Sequence, residues 1–185
     1  YSQNPFPEAV VIGQYLREHT RPEARIAVIG SEPEIYFYAH RRAATPFLYT
    51  YPLVETQPLA AKMQREFAQN IEAADPDYVV FVSVSTSWLA MPGADPFVFD
   101  WFGGYSEQHL HDIGMVDIVS LDHTKYRWGG GPAQLQPLAD NWLAILRNNL
   151  TQKGQNVHTI CLVKRLKGRD DAGAELHAEE SPPRF

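Results

Sequence analysis

Glu32 and Glu34 stand two residues apart in Gly30-Ser-Glu-Pro-Glu34, directly after the apolar run Arg25-Ile-Ala-Val-Ile29. Tyr36, Tyr38, Arg41 and Arg42 follow closely. A strand that ends in glycine before a helix is where nucleotide-binding folds cradle phosphate, because amide N–H groups and the positive end of the helix dipole face the anion. This turn has neither G-x-G-x-x-G nor G-x-x-x-x-G-K-[ST]. Its two carboxylates would repel a phosphate, which argues against a dinucleotide, ATP or S-adenosylmethionine site of the usual kind. Two readings remain. Gly30, Ser31, Glu32, Glu34, Tyr36, Arg41 and Arg42 can line a polar ligand or acceptor cleft at the carboxyl edge of a sheet. Alternatively, Ser31 and Glu34 form a capping box, Ser31 accepting from the amide of residue 34 and Glu34 reaching back, with the arginines in surface ion pairs.

The other reactive residue types give less. His109 and His111 flank Leu110, with Asp112 after them and Asp122-His123 further on. A His-x-His pair aligns both rings only on a strand, and a helix or loop is expected here, so we expect no metal site. Ser83, Ser85, Thr86 and Ser87 follow an apolar run without the G-x-S-x-G elbow of a hydrolase and fit a polar loop. The single cysteine, Cys161, lies in Ile160-Cys-Leu-Val163 and reads as a buried, inert thiol; it excludes an internal disulfide. Trp88, Phe97, Phe99, Trp101, Phe102 and Tyr105 crowd one connecting segment. They fill a core under a long loop, or else Trp88, Trp101 and Tyr105 form an exposed aromatic surface for sugars or a membrane.

The elements that must position these groups follow from patterning. We expect helices over 8–20, from 31 to near 40, over 58–74 and over 133–150. A further helical stretch within 95–113 should be interrupted at Gly103-Gly104. Strands are expected over 25–29, 47–51, 78–83, 115–121 and 157–165, with an antiparallel return through Tyr126 to Trp128. Alternating helices and short apolar strands imply an α/β fold: a three-layer αβα sandwich around a Rossmann-like, mostly parallel sheet with an antiparallel edge at the C-terminal end. The expected organisation is a single domain over 1–167, led in by 1–7, and a polar tail over 168–185. Sixteen Lys and Arg against 22 Asp and Glu give a net charge of -6. Without a dense basic stripe, no nucleic-acid partner is expected. No run approaches the ~20 apolar residues that span a bilayer, and the first residue is Tyr1. We therefore expect a piece of a longer polypeptide.

Several segments in order carry a resemblance: Asn4-Pro-Phe6, Arg25-Ile-Ala-Val-Ile-Gly-Ser-Glu-Pro-Glu-Ile-Tyr-Phe37, Arg41-Arg-Ala-Ala-Thr45, Tyr49-Thr-Tyr-Pro52, Pro76-Asp-Tyr-Val-Val-Phe-Val82, Val116-Asp-Ile-Val119 and Tyr126-Arg-Trp128. Together, over about residues 4–165, they resemble the soluble C-terminal domain of dolichyl-phosphate-mannose-dependent mannosyltransferase-like proteins. These are multi-spanning, lipid-linked-sugar glycosyltransferases related to the enzymes that modify lipid A with aminoarabinose. The resemblance implies a non-catalytic accessory domain on the extracytoplasmic, periplasmic face of the inner membrane. Its partner would be the transmembrane half of the same polypeptide, with a glycan, lipid or protein acceptor also implied. It implies no cofactor in this chain; the parent would use a polyprenyl-phosphate sugar and a divalent metal or carboxylate assistance. The acidic catalytic residues of that class lie in the membrane half, so none is carried over. The alternative from another class is a stand-alone small-molecule transferase or binding module on a Rossmann-like scaffold. A protein-interaction module is a third.

Overall fold

The computed structural model describes residues 4–149. Cys161, the strand expected over 157–165 and the tail over 168–185 lie outside the described residues. The chain folds as an αβα sandwich around a six-stranded open sheet of order β2-β1-β3-β6-β4-β5. In chain order the elements are α1 (Phe6–His19), β1 (Arg25–Ile29), α2 (Glu34–Ala39), β2 (Arg42–Ala43), α3 (Tyr51–Val54), α4 (Ala60–Ala74), β3 (Tyr78–Ser83), α5 (Ser85–Trp88), α6 (Phe97–His109), β4 (Leu110–Ser120), β5 (His123–Trp128) and β6 (Asn141–Asn148). β1 pairs in parallel with β2 and β3, while β6 runs antiparallel between β3 and β4, and β5 closes the far edge antiparallel to β4.

β1 and β3 are apolar on both sides because both sides are covered. On one face Ile26, Val28, Val80 and Val82 pack against Ile12 and Leu16 of α1 and Ile35 of α2. On the other, Ile29, Val79 and Phe81 meet Leu53 of α3, Phe67 and Ile71 of α4, and Phe102 of α6. Phe81 and Phe102 stack at 4.8 Å between centroids. Burying side chains of this size contributes about 1.5–3 kcal/mol each, and the run at β3 is buried throughout.

The sheet has two poles. β1, β2, β3 and β4 point the same way, so the segments after them, 30–34, 44–59, 84–96 and 119–123, gather at the carboxyl edge. α1 starts there, since Thr124 at the beginning of β5 donates to Glu8, and it ends at the opposite, amino edge. β6 runs from the carboxyl edge to the amino edge, where the Asn149 amide donates to the His109 carbonyl at 2.7 Å.

Four local expectations are corrected. Residues 47–51 form no strand: β2 spans only Arg42–Ala43, and Pro46 and Pro52 flank irregular backbone that turns into α3. Of the span expected as a helix over 133–150, the described residues 133–149 form no α-helix. Pro137 interrupts them, and Trp142-Leu-Ala-Ile-Leu146 is a strand apolar on both faces, a pattern that a short buried helix shares. α6 continues through Gly103-Gly104, because the buried stripe of Val98, Phe102 and Tyr105 outweighs two weak helix formers. Ser31 and Glu34 do not form the capping box: α2 starts after Pro33 with no side-chain cap, since Ser31 is engaged elsewhere.

Candidate functional site

In the order β2-β1-β3, the connection from β1 to β2 uses α2 on one face, and that from β2 to β3 uses α3 and α4 on the other. The chain therefore reverses direction between β1 and β3. In open α/β sheets this switch point opens the crevice where ligands bind. Glu32, just past β1, and Ser87, just past β3, straddle it.

The crevice is filled by the protein itself. Glu32 is only 3% exposed. Its Oε2 accepts the Ser87 hydroxyl at 2.8 Å, and Ser87 Oγ accepts the Ser31 amide at 2.9 Å. The Thr50 amide donates to Ser31 Oγ at 3.0 Å, and the Thr50 hydroxyl donates to the Ser87 carbonyl at 3.3 Å. With that proton committed, the Ser31 hydroxyl is the donor across its 3.0 Å contact with Thr50 Oγ1. Tyr51 adds a bond from its phenol to the Thr86 carbonyl at 3.0 Å. Three loops, 30–32, 50–51 and 86–88, are thus tied by hydroxyls around one carboxyl. The glycine is required: a Cβ on Gly30 would lie 2.5 Å from Glu32 Oε2 and 2.7 Å from the Val82 side chain.

Burial pushes the Glu32 carboxyl up to about 7, and the neighbouring Glu34 charge adds to this, while the Ser87 hydroxyl and the Ser31 amide pull the other way. Burial also raises Glu34, partly offset by its own amide. The Tyr51 phenol is raised by burial and then by Glu32. A carboxyl that titrates near neutrality suits proton transfer. Here, however, Glu32, Ser87, Thr50 and Ser31 are all buried, and the serine proton is already committed to the carboxyl. The arrangement is a closed network rather than an open acid–base pair.

Of the residues read from the sequence, Gly30, Ser31, Glu32 and Glu34 meet at this point, and the others do not. The Tyr36 hydroxyl accepts the Val28 amide at 2.8 Å inside the α1–α2 layer, where burial raises its pKa. Arg41 and Arg42 lie at the amino edge, because β2 begins there with Arg42 opposite Arg25. Arg41 donates to the carbonyls of Arg17 and Thr20 and to the Thr20 hydroxyl, closing the C-terminal end of α1. The cleft expected around all seven residues is therefore split between opposite poles. Nor do Trp88, Trp101 and Tyr105 form an exposed aromatic surface. Trp88 and Tyr105 are core residues, Trp88 donating to the Val82 carbonyl, and half-buried Trp101 packs on Phe67 and bonds Glu72.

Comparisons with family models, curated proteins and solved structures found no match for this chain.

Ser87, Thr50 and Tyr51 were not singled out from the sequence as site residues. The available signal was positional: all three follow strands that neighbour β1. Among the described residues, no three His, Cys, Asp or Glu side chains converge as metal ligands; His109 ends α6, whereas His111 lies on β4. A second buried ionic group is structural. Asp117, fully buried, holds Arg127 at 2.6 Å and accepts the Leu138 amide at 2.6 Å, while Arg127 also donates to the carbonyls of Gln134 and Gln136. It pins the segment leading into β6.

Proposed function

We propose that this chain is the non-catalytic, extracytoplasmic domain of a membrane glycosyltransferase that takes its sugar from a polyprenyl-phosphate donor. The resemblance of the Gly30-Ser-Glu-Pro-Glu-Ile-Tyr-Phe37 stretch and its companion segments supplies the family reading. The observation that carries the non-catalytic part is the filled switch point: Glu32 folds back over Gly30 and bonds Ser87, occupying the space in which a Rossmann-like enzyme would seat a phosphate. A buried carboxyl there opposes an anionic cofactor and speaks against the stand-alone transferase. The domain's work in this reading is to support the membrane half and to help position the acceptor. Among the described residues no helix is long and apolar enough to cross a membrane, so this reading assigns the spans to another part of the polypeptide.

The coding sequence upstream of Tyr1 tests this. Several apolar segments of about 20 residues, with acidic residues in the first extracytoplasmic loop, are expected. An upstream sequence without such segments, or a start codon adjoining Tyr1, would overturn the proposal.

A further inference from the structure

A row of polar side chains crosses the sheet at its amino edge, at the opposite pole from the filled switch point. Tyr78 of β3 lies opposite Arg147 of β6, and Arg147 lies opposite His111 of β4. Residues paired in this way share a face and stand about 5 Å apart. Tyr78 packs with α1, so the row faces that side of the sheet. Over it α1 ends with Tyr15 and His19. The Tyr15 ring is stacked between His19, at 3.9 Å, and Trp128 of β5, at 4.0 Å. After Trp128 the Gly129 amide donates to the Ile113 carbonyl at 2.7 Å, so a glycine, not a side chain, continues from β5 alongside the start of β4.

Charge and hydrogen-bond valence select the ligand. Among the described residues Arg147 has no carboxylate partner, whereas Arg127 is held by Asp117 and Arg41 by backbone carbonyls. His111 Nδ1 is buried and has no hydrogen-bond partner among the described residues, which leaves a polar group to be satisfied. Burial and then Tyr78 raise the Tyr15 phenol, while Arg147 pulls it down; burial and then Arg147 lower the His111 imidazole. His111 is therefore neutral at pH 7, and Arg147 supplies the full positive charge of the row. No carboxylate is among these influences; Asp112 pairs with Leu146 on the opposite face, and Asp75 is held there by Asn148. A guanidinium meets the two oxygens of a carboxylate in parallel bonds, and a single positive charge balances a single negative one. The two phenols and the imidazole can donate to the same oxygens. Half-buried Ile113 and Trp128 add apolar surface beside the row. That surface suits the body of an organic acid, whereas the second charge of inorganic phosphate finds no partner.

We infer that Arg147, His111, Tyr15 and Tyr78 form a binding site for the carboxylate of an apolar organic acid, on the α1 face of the sheet at its amino edge. The inference goes beyond the proposed function and does not depend on it: upstream sequence decides one, ligand binding the other.

The test is calorimetric titration of the 185-residue chain with benzoate, with its neutral analogue benzamide and with inorganic phosphate, together with an NMR titration of His111. Saturable, millimolar binding of benzoate is expected, with phosphate weaker and benzamide not bound. Arg147→Gln should weaken benzoate about tenfold. Arg147 is exposed, so this variant should keep the wild-type denaturation midpoint. Tyr15→Phe, which keeps the ring stack and removes only the hydroxyl, should weaken benzoate by a smaller factor. Bound benzoate should raise the His111 pKa, because a carboxylate favours the charged imidazole. Arg42→Gln, at the same edge on β2, should bind as wild type does. Absent benzoate binding, equal affinity for benzamide, tighter binding of phosphate, an unmoved His111 titration, or equal losses in the Arg42 and Arg147 variants would overturn the inference.

Discussion

Replacing Glu32 with Gln should remove most of the pH dependence of this fold's stability around neutrality. In the folded chain the carboxyl titrates near 7, against an ordinary value of 4.5. Between those two values the folded state binds more protons than the unfolded state, so stability falls as pH rises through that window. Below about pH 4.5 the neutral acid bonds Ser87 and carries no penalty. Above about pH 7 the folded state must hold a buried carboxylate. No cation is among the influences on it; the nearby titrating groups are Glu34 and the Tyr51 phenol. At about 1.4 kcal/mol per pH unit, the interval from 4.5 to about 7 corresponds to about 3 kcal/mol. Gln has the same shape, keeps an oxygen to accept from Ser87, and never ionises.

The assay is urea denaturation of wild type and Glu32→Gln at about pH 5 and about pH 8.5. The two proteins should differ little at the lower pH. At the higher pH the variant should be more stable by about 3 kcal/mol. Glu34, whose raised pKa adds dependence of the same sign, is present in both proteins, so the difference isolates Glu32. Parallel stability curves for the two proteins would refute the reasoning: Glu32 would then not titrate near neutrality in the fold. A variant less stable at both pH values would show that the carboxyl makes a bond that the amide cannot replace.

Three further outcomes follow from the same contacts. Ser87→Ala leaves the Glu32 oxygen and the Ser31 amide without their buried partner, which should cost about 1–3 kcal/mol and raise the Glu32 midpoint further, read by denaturation against pH. Gly30→Ala forces a methyl against Glu32 Oε2 and Val82, neither a free end in open space, and should lower stability by about 1–3 kcal/mol in the same assay. Arg127→Ala strands the fully buried Asp117 and frees the segment before β6; a loss of about 3–5 kcal/mol is expected, with amide exchange rising first at Leu138 and Ala139, whose N–H groups Asp117 holds.

The parts of the fold legible in the sequence were those in which local pattern and tertiary burial agree. β1 and β3 were read at their observed bounds because runs of four and five apolar residues bounded by turn residues have few other uses. α4 was read to within two residues because Phe67 and Ile71 recur one helical turn apart and face the core. β6 was missed for the converse reason: a run buried on both faces has no periodicity to reveal its type. The site was half legible. Gly30 and Glu32 stand next to a strand end, so the sequence placed them correctly. Arg41 and Arg42 follow only nine residues later, yet α2 carries the chain the full depth of the sheet between them. Sequence proximity mistook opposite poles for one cleft. Ser87 reaches Glu32 from 55 positions away and Thr50 reaches Ser31 from 19, distances that only the strand order β2-β1-β3 closes.

That closure bears on where function resides in this domain. A doubly wound sheet offers its binding crevice at the switch point, and here the loops that would open it are bonded to one another around Glu32. The same loops carry Tyr49, Leu89 and Met91 on their outer side. One hydroxyl-to-carboxyl bond, from Ser87 to Glu32, and further bonds among Ser31, Thr50 and Ser87 tie 30–32, 50–51 and 86–88 to one another. A ligand-binding Rossmann-like domain needs those loops to part. Here the bond from the Ser87 hydroxyl to Glu32 holds them together.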